Sequence, residues 1–340
     1  MRPGKVSPHA LKERIFPYLG HRGDVLVHAT VGQDCAVLDF GPSVCVVTCD
    51  PITGAGEHLG RLAVHVACND LVTTGAEPVG LLLTLLLAEA TAEADLDRIM
   101  REAGPAAHAV GGEIVGGHTE VTPGIDRSLV VVAAIGRAPR HGYVSAGGGR
   151  PGHALVLTKS AGIEGTAVLA ADLAGRLSRI IGPDVLARAQ GFIEQISVVP
   201  DGRIGALCGA TAMHDVTEGG VLTGAWELAE ASGCGVRLDA DAVPVAPETR
   251  AVCDALEVDP LALISSGAML MAIPSPAPLQ AALTQAGIPS AVIGALTDGE
   301  RVVVRGGHAT PLAPPDRDEL WRVLEVAGRA QRPARRKAAG

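Results

Sequence analysis

Three aspartates in the first half of the chain stand at the edges of apolar segments. Asp34 lies in VGQDCAVLDFG, Asp50 ends SVCVVTCD, and Asp70 continues the apolar stripe of a helix predicted over 57–74. Because an unpaired buried carboxylate is costly, Asp70 needs a cation, a basic side chain or backbone donors opposite it. The alternative for Asp70 is a helix end that turns toward solvent.

No obvious lysine or arginine stands beside these acids in the sequence. Taken singly, each would be an ordinary turn aspartate. Carboxylate oxygens are, however, the ligands that Mg²⁺ prefers, and Mg²⁺ bridges nucleotide phosphates. On the assumption that they converge in space, Asp34, Asp50 and Asp70 therefore predict a magnesium site.

The segment AMHDVTEGGVLTGAWELAE in the second half predicts a strand followed directly by a helix. Asp215 ends the strand, Thr217 is predicted as the helix N-cap, and Gly219 and Gly220 open the helix. Backbone N–H groups at such a glycine-bearing helix start favour an anion. A tight strand-to-helix turn without a ligand is the alternative. The Rossmann and Walker nucleotide sites are excluded, because neither GxGxxG after the first strand nor GxxxxGK(S/T) occurs.

Composition and charge narrow the class of protein. The chain has 340 residues, is 47% hydrophobic and carries a formal net charge of −9. This acidic balance argues against nucleic acid as the main partner. No run reaches the roughly 18 apolar residues of a membrane span, and the N-terminal residues lack the apolar core of a signal peptide. A cytoplasmic protein without a membrane partner is therefore expected.

The cysteines and the C-terminal residues give weaker signals. Seven cysteines without CxxC spacing predict reduced thiols rather than a disulfide framework. Cys45 and Cys49 are expected in the core, because they share one face of a predicted strand. The stretch 329–340 is basic and is predicted to be a disordered, solvated tail.

The order of elements predicts an α+β protein of two subdomains, 1–142 and 150–328, with the boundary in the glycine- and proline-rich stretch 141–153. Helices are predicted over 8–16, 57–74, 92–110, 164–174, 184–193, 219–232, 276–286 and from 316. Strands are predicted over 24–30, 35–40, 43–49, 78–89, 128–136, 154–158, 210–213, 236–238, 268–273 and 291–296. The near-continuous apolar run VGLLLTLLLAE exceeds what one half-exposed strand hides, which favours a homodimer, although a monomer core could also bury it.

Several motifs together resemble one superfamily. GQDCAV, TCDP, ACNDLVTTGAEP, IVGGHTE, MHDVTEGGVLTGAWELAE and ISSGAML occur in the order and approximate spacing seen in the aminoimidazole ribonucleotide synthase (PurM-like) superfamily. The resemblance covers about residues 5–326. Within the superfamily, the chain is most similar to the hydrogenase expression/formation protein E branch and to proteins described as AIR synthase-related.

The resemblance implies a PurM-like fold in which the N-terminal subdomain forms a β-barrel shared between the two chains of a homodimer. The C-terminal subdomain would be α/β, with ATP in the cleft between the two subdomains. Mg²⁺ would be held by Asp34, Asp50 and Asp70, with Asn69 beside them. The phosphate or substrate side would be closed by Asp215, Gly219 and Gly220.

One departure from the superfamily falls in EIVGGHTE, where a turn with close backbone approach is expected. These families commonly have GGDT, whereas this chain has Gly116, Gly117, His118 and Thr119. Imidazole is a poorer ligand for Mg²⁺ than carboxylate. Three functional alternatives follow from this replacement. Glu120 supplies the missing oxygen ligand, the site holds fewer metal ions, or His118 contacts phosphate or substrate directly. A structural histidine is the remaining alternative.

Two further departures concern thiols. Selenophosphate synthetases carry a reactive cysteine or selenocysteine near the N-terminus, and residues 1–32 contain no cysteine. Hydrogenase maturation protein E ends in a cysteine that accepts the carbamoyl group, whereas the last cysteine of this sequence is Cys253. The self-modifying form of that reaction is therefore not expected.

The leading prediction is an ATP- and Mg²⁺-dependent homodimeric enzyme that phosphorylates or dehydrates a small amide-like substrate, with Asp215 and His118 as catalytic residues and a possible maturation partner protein. The alternatives are a phosphotransferase similar to thiamine-monophosphate kinase, and a non-catalytic nucleotide-binding scaffold for maturation. The motifs do not name the substrate, because specificity depends on pocket shape.

Overall fold

The computed structural model of the chain describes residues 4–53 and 57–331. Helices and strands mix in both halves, which confirms the α+β prediction. The helices are α1 (Pro8–Arg14), α2 (Leu59–Thr73), α3 (Glu93–Ala109), α4 (Ile163–Asp172), α5 (Ala174–Ile181), α6 (Pro183–Gln190), α7 (Val199–Leu207), α8 (Gly220–Ala231), α9 (Pro247–Leu256), α10 (Pro276–Gln285) and α11 (Glu319–Gln331). The strands are β1 (Val25–Val27), β2 (Ala36–Asp39), β3 (Ser43–Ile52), β4 (Glu77–Leu87), β5 (Glu113–Val121), β6 (Leu129–Pro139), β7 (Ala154–Thr158), β8 (Ala212–Asp215), β9 (Gly235–Asp239), β10 (Met269–Ile273), β11 (Ser290–Thr297), β12 (Arg301–Arg305) and β13 (His308–Pro311).

Some elements differ from the sequence prediction. Helices α5, α7 and α9 and strands β5, β12 and β13 have no counterpart among the predicted elements. Helices α7 and α9 are short and begin next to proline, so their periodic signal is weak. Helix α11 extends over 329–331, where a disordered tail is predicted, and the rest of that tail lies outside the described residues. Within the described ranges, no helix is long and apolar enough to cross a membrane.

The first half forms a six-stranded sheet in the order β1-β2-β3-β6-β4-β5. Neighbouring strands are antiparallel, except that β4 and β5 run parallel. Helix α2 packs against β3 and β6, and α3 packs against α2. Every residue of α2 except Arg61 is buried, so α2 is a core helix. A Cβ at Gly60 would lie 2.0 Å from the carbonyl oxygen of Ile99, so only glycine permits this approach of α2 to α3.

The other face of this sheet is lined by apolar side chains that stay partly or fully exposed. Val44 and Val46 of β3 point to the α2 face and are buried, whereas Cys45 and Cys49 belong to the other face. Cys49 is exposed and Cys45 is half-buried, so the expectation that both lie in the core is wrong. The shared strand face was identified correctly, but the sequence does not say which face is covered. The register adds Val47, Leu82, Leu86, Leu129, Val131, Ala133 and Ile135 to this face, which we call the open face.

The second half forms a seven-stranded sheet in the order β13-β12-β9-β11-β7-β10-β8. Strand β8 at one edge of this sheet and its neighbour β10 are nevertheless buried throughout, because helices cover both faces. Gly205 of α7 lies against the sulfur atoms of Met213 and Met271, while Gly224 of α8 lies against His214 on the opposite face. One hydrophobic cluster runs through both sheets, and a second lies among helices of the second half.

Candidate functional site

Two of the predicted aspartates meet where α2 packs on β3. Thr48 and Asp50 are two residues apart on β3, so both point to the face that α2 covers. Thr48 Oγ1 lies 2.7 Å from Asp70 Oδ2 and 3.2 Å from Asp50 Oδ2. The hydroxyl therefore joins the two carboxyl groups, and the prediction that Asp70 lies on the packing face of its helix is confirmed, since Asp70 is only 8% exposed.

The pKa of Asp70 reflects three further carboxyl groups that lie near its side chain. Burial raises the pKa of Asp70 well above its ordinary value, and the charges of Asp50, Asp215 and Asp34 raise it further. Like charges raise a carboxyl pKa only over a short range. We call Asp34, Asp50, Asp70 and Asp215 the acidic cluster, and its existence supplies the spatial convergence that the sequence analysis assumed.

The other side of the acidic cluster is built around His214, which follows Met213 on β8. His214 Nδ1 lies 2.8 Å from Asp34 Oδ2, and its Nε2 lies 3.0 Å from Glu227 Oε2 on α8. Burial lowers the pKa of His214, but the two carboxylates raise it more, so that the pKa lies well above its ordinary value. An imidazolium that donates to both acids fixes the orientation of the Asp34 carboxylate.

Asp215 completes the acidic cluster. One ligand atom from each of Asp34, His214 and Asp215 lies within 4.8 Å of the others. Asp215 Oδ2 is buried and has no hydrogen-bond partner among the described residues. Burial, and next the charge of Asp34, raises the pKa of Asp215 to about 7. A buried acid oxygen without a partner, beside three more carboxyl groups, fits a divalent cation with oxygen ligands.

His214 and Glu227 are site residues that the sequence analysis missed. The available signal was the pair His214 and Asp215 at the end of an apolar strand, where a buried imidazole requires partners. Glu227 carries a weaker signal, because it lies on a helix whose facing side is otherwise apolar. Their pairing with Asp34 joins residues far apart in sequence, and no local pattern reveals it.

The glycines at the start of α8 are arranged differently from the prediction. Gly219 is the N-cap residue and has a left-handed conformation, and the Thr217 side chain does not cap the helix. Gly219 N donates a hydrogen bond of 2.5 Å to Asp318 Oδ2. Burial raises the pKa of Asp318 to about 6. The helix start thus binds a carboxyl group of the chain itself, and phosphate binding by Gly219 and Gly220 stays a prediction.

Asn69 has a structural role that the sequence analysis did not foresee. Its Nδ2 donates to the carbonyl oxygen of Ile196 at 2.8 Å, and its Oδ1 accepts from Val198 N at 2.9 Å. The side chain is fully buried. Asn69 therefore clamps α2 to the segment before α7, and its contact with the nucleotide stays a prediction.

The GGHTE segment is part of strand β5 and does not form the expected turn. Gly117 pairs with Leu83 of β4, and a Cβ at Gly117 would lie 1.8 Å from the Leu83 carbonyl oxygen. The predicted close backbone approach is thus correct, but it occurs between parallel strands. Gly116 and Thr119 belong to the same exposed edge strand.

His118 and Glu120 lie away from the acidic cluster in a single chain. The register aligns Asp50, Val132 and Leu83, whose side chains lie on the α2 face, in one row with Gly117. His118 falls in the next row and points to the open face, as does Glu120 two residues later. His118 Nε2 lies 3.2 Å from Glu120 Oε2, and their side chains are 64% and 49% exposed. Glu120 therefore does not join the acidic cluster of its own chain.

The fold and the acidic cluster can now be compared with known proteins. The family model described as the N-terminal domain of AIR synthase related protein matches residues 32–138, and the model of the C-terminal domain matches 150–307. The chain therefore belongs to the AIR synthase related protein family, which confirms the resemblance.

Its homologues are hydrogenase expression/formation proteins. A hydrogenase expression/formation protein of Methanocaldococcus jannaschii is 30% identical over 279 residues, which are 79% of this chain and 80% of the relative. The carbamoyl dehydratase HypE of Rhodobacter capsulatus is 32% identical over 253 residues, covering 73% of this chain and 71% of the relative.

Solved structures show the same fold. The hydrogenase maturation protein HypE in complex with ATP has a TM-score of 0.69 at 24% identity, covering 94% of this chain and 98% of that one. HypE in a complex with HypF has a TM-score of 0.72 at 23% identity, covering 90% of this chain and 100% of that one.

Proposed function

We propose that the chain is an ATP- and Mg²⁺-dependent enzyme that dehydrates a carbamoyl-type amide. The observation that carries this proposal is the acidic cluster of Asp34, Asp50, Asp70 and Asp215. The names of the relatives, a carbamoyl dehydratase and a maturation protein solved with ATP, support the choice of reaction and nucleotide. The first half of the reaction transfers the γ-phosphoryl group of ATP to the amide oxygen and releases ADP and one proton.

In the second half, the C–O bond breaks, phosphate leaves with the former amide oxygen, and the nitrogen loses its second proton to give a nitrile-type group. Mg²⁺ held by the carboxylates of the acidic cluster would neutralise phosphate charge. His214 keeps the Asp34 carboxylate oriented, so this part of the site is rigid before ligands bind. Asp215, whose pKa is raised to about 7, can exchange a proton near neutral pH.

The amide substrate is proposed to be presented by another molecule and not by a cysteine of this chain. Cys253 is buried, and burial raises its pKa to about 12. Cys35 lies near the acidic cluster, where burial, followed by the charges of Asp70 and Asp34, raises its pKa well above the ordinary value. A thiol that remains protonated is a poor nucleophile, so neither cysteine suits a carbamoyl acceptor.

A partner protein is the proposed source of the carbamoyl group, because the similar protein HypE has been solved in a complex with HypF. We also propose that the open face of the six-stranded sheet forms a barrel with a second copy. Leu82 on this face is 39% exposed, and neighbouring apolar residues are only half-buried. A second copy would remove this surface from water.

In such a dimer, β5 would bring His118 and Glu120 to the partner chain. A role of either residue in phosphate or metal binding is proposed only across that interface. A cytoplasmic location remains part of the proposal. Light scattering at micromolar protein concentration tests the dimer, and a monomer would contradict both the barrel and the placement of β5.

The enzymatic proposal is tested by measuring ADP and phosphate release with Mg²⁺ in the presence of candidate carbamoyl compounds or a carbamoyl-carrying partner. Amide-dependent release of both products, with loss of water from the amide by mass spectrometry, is expected. ATP binding without turnover would favour the scaffold. ADP release with phosphate retained on thiamine monophosphate would favour the kinase. A thiocyanate adduct on a cysteine of this chain would contradict an external acceptor.

A further inference from the structure

The N-terminal segment before α1 crosses the loop that follows the acidic cluster. Lys5 N donates to Glu218 Oε2 at 2.8 Å, and Lys5 Nζ donates to Thr217 Oγ1 at 3.0 Å. Trp321 Nε1 donates to Glu218 Oε1 at 3.3 Å, so Glu218 is held from two sides. Thr217 stands two residues after Asp215. These bonds fix the Lys5 ammonium beside the acidic cluster.

The electric field at Lys5 comes from the acidic cluster and its neighbours. Crowding by protein atoms lowers the pKa of Lys5, and the charges of Glu227, Asp215, Asp34 and Glu218 more than reverse this effect, so that the pKa is raised. Lys5 as a whole residue is nevertheless exposed. The ammonium is therefore charged, and the charges that hold its proton are those of the acidic cluster and its neighbours.

The Lys5 ammonium makes no ion pair within the described part of the chain. Lys12, seven residues later, forms a direct pair with Glu230 at 2.6 Å, and Lys159 pairs with Asp201 at 3.3 Å. An ammonium group has three donors, and Thr217 uses one of them. A lysine whose function was to neutralise the cluster would contact a carboxylate as Lys12 does. Lys5 instead keeps donors available for an anion.

We propose that Lys5 is a phosphate-binding residue whose ammonium donates to the terminal phosphate oxygens of a polyphosphate held at the acidic cluster. This inference rests on the proposed function, because it takes ATP as the ligand. The ammonium of Lys5 would bind the polyphosphate, and the neighbouring carboxylates of the acidic cluster would bind its magnesium ion. Since Thr217 and Glu218 anchor Lys5, little further ordering is needed when the ligand binds.

The experiment compares Lys5→Met with Lys12→Met, which removes a second ammonium from the same N-terminal region but away from the acidic cluster. Titration calorimetry measures the affinity of the full-length variants for magnesium tripolyphosphate, ATP and adenosine. Lys5→Met is expected to weaken tripolyphosphate and ATP about tenfold or more, and adenosine by less than about twofold. Lys12→Met is expected to leave all three unchanged. Lys5→Arg, which keeps a cation, is expected to recover most of the affinity.

Equal loss of adenosine and ATP affinity in Lys5→Met would overturn the proposal, because it would show a general disturbance of the site. Unchanged or tighter tripolyphosphate binding would also overturn it and would make Lys5 a counter-ion of the acidic cluster. Tripolyphosphate separates this inference from the proposed function. Lys5-dependent binding of tripolyphosphate without amide-dependent ATP turnover would support the phosphate site and contradict the dehydratase.

Discussion

Two histidine–glutamate pairs in this protein have almost the same geometry and opposite surroundings. His214 and Glu227 are 3.0 Å apart beside the acidic cluster, with side chains 3% and 14% exposed. His118 and Glu120 are 3.2 Å apart on β5, with side chains 64% and 49% exposed. Solvent screens and reorients the second pair, whereas the first is held by packing and by a second carboxylate, Asp34. Burial, more than contact distance, decides which pair can organise a site.

The sheet explains why the two pairs differ. Adjacent residues of a strand point to opposite faces, and only one face of the six-stranded sheet carries α2. Asp50 points toward α2, while His118 points to the open face. The position where the superfamily commonly has an acid therefore lies on the open face of a single chain, away from the acidic cluster.

The largest effect is expected from Asp70→Asn, which keeps the volume but removes one charge from the acidic cluster. Mg²⁺-dependent ATP turnover should fall about 100-fold or more, because about 3 kcal/mol of charge stabilisation is lost. Thermal stability without Mg²⁺ should be maintained or increased, because one of four neighbouring acids is neutralised. Activity assays and thermal melts measure both quantities. Asp97→Asn, at an exposed position of α3, is the control. Wild-type turnover in Asp70→Asn would contradict the metal site.

A direct comparison of the two histidines is the next test. His214→Gln leaves Asp34 and Glu227 as buried carboxylates without their cation, so the free energy of unfolding should fall by about 3–5 kcal/mol. His118→Gln should change it by less than about 0.5 kcal/mol, because the side chain is exposed. Urea unfolding measures both values. Similar values for the two variants would show that burial does not separate the pairs.

Glu164 tests the effect of burial outside the acidic cluster, because burial is the largest influence on its pKa. Its Oε2 has no partner among the described residues, and burial raises its pKa to about 7. Between its ordinary pKa of about 4.5 and about 7, the folded state holds the proton more tightly, so stability falls as pH rises through this window. The total loss from this residue is about 3 kcal/mol above pH 7.

Glu164→Gln should remove the contribution of Glu164 to this pH dependence. The stability of the variant minus that of the wild type should therefore be larger at pH 8 than at pH 4.5. The control Glu120→Gln, at an exposed position of β5, should not remove this fall in stability with rising pH. Denaturant unfolding at several pH values measures the slopes. A wild-type slope in Glu164→Gln would show that the carboxyl group of Glu164 does not ionise with a raised pKa.

The smallest effect is expected from His118→Asp, which restores the acid common in the superfamily. In a single chain the new carboxylate points away from the acidic cluster, so Mg²⁺ affinity without nucleotide should change less than about twofold. Titration calorimetry measures it. Tighter Mg²⁺ binding that requires the dimer would show that β5 of a second copy reaches the cluster. Weaker ATP binding would place His118 beside the phosphate.

Much of the fold was predictable because the signals are local. Alternation along β3, the apolar stripe of α2 and the glycine at its end depend only on neighbouring residues, and the elements formed close to where they were expected. Elements that differ from the prediction are those in which a distant segment overrides the local signal. Strand β5 contains two glycines and gives a turn signal, but the parallel ladder with β4 satisfies its backbone and needs the glycine at 117.

The sequence by itself identified the four acids of the acidic cluster, because Asp34, Asp50, Asp70 and Asp215 each end or interrupt an apolar pattern. Only the tertiary structure decided what they meet. Asn69 became a clamp to Val198, 129 residues away, and Asp34 met His214 across 180 residues. Periodicity reports which side of an element is apolar, but not which face of a sheet is covered or which distant segment covers it. That choice is made when the two sheets pack around α2, and it separates the buried His214 from the exposed His118.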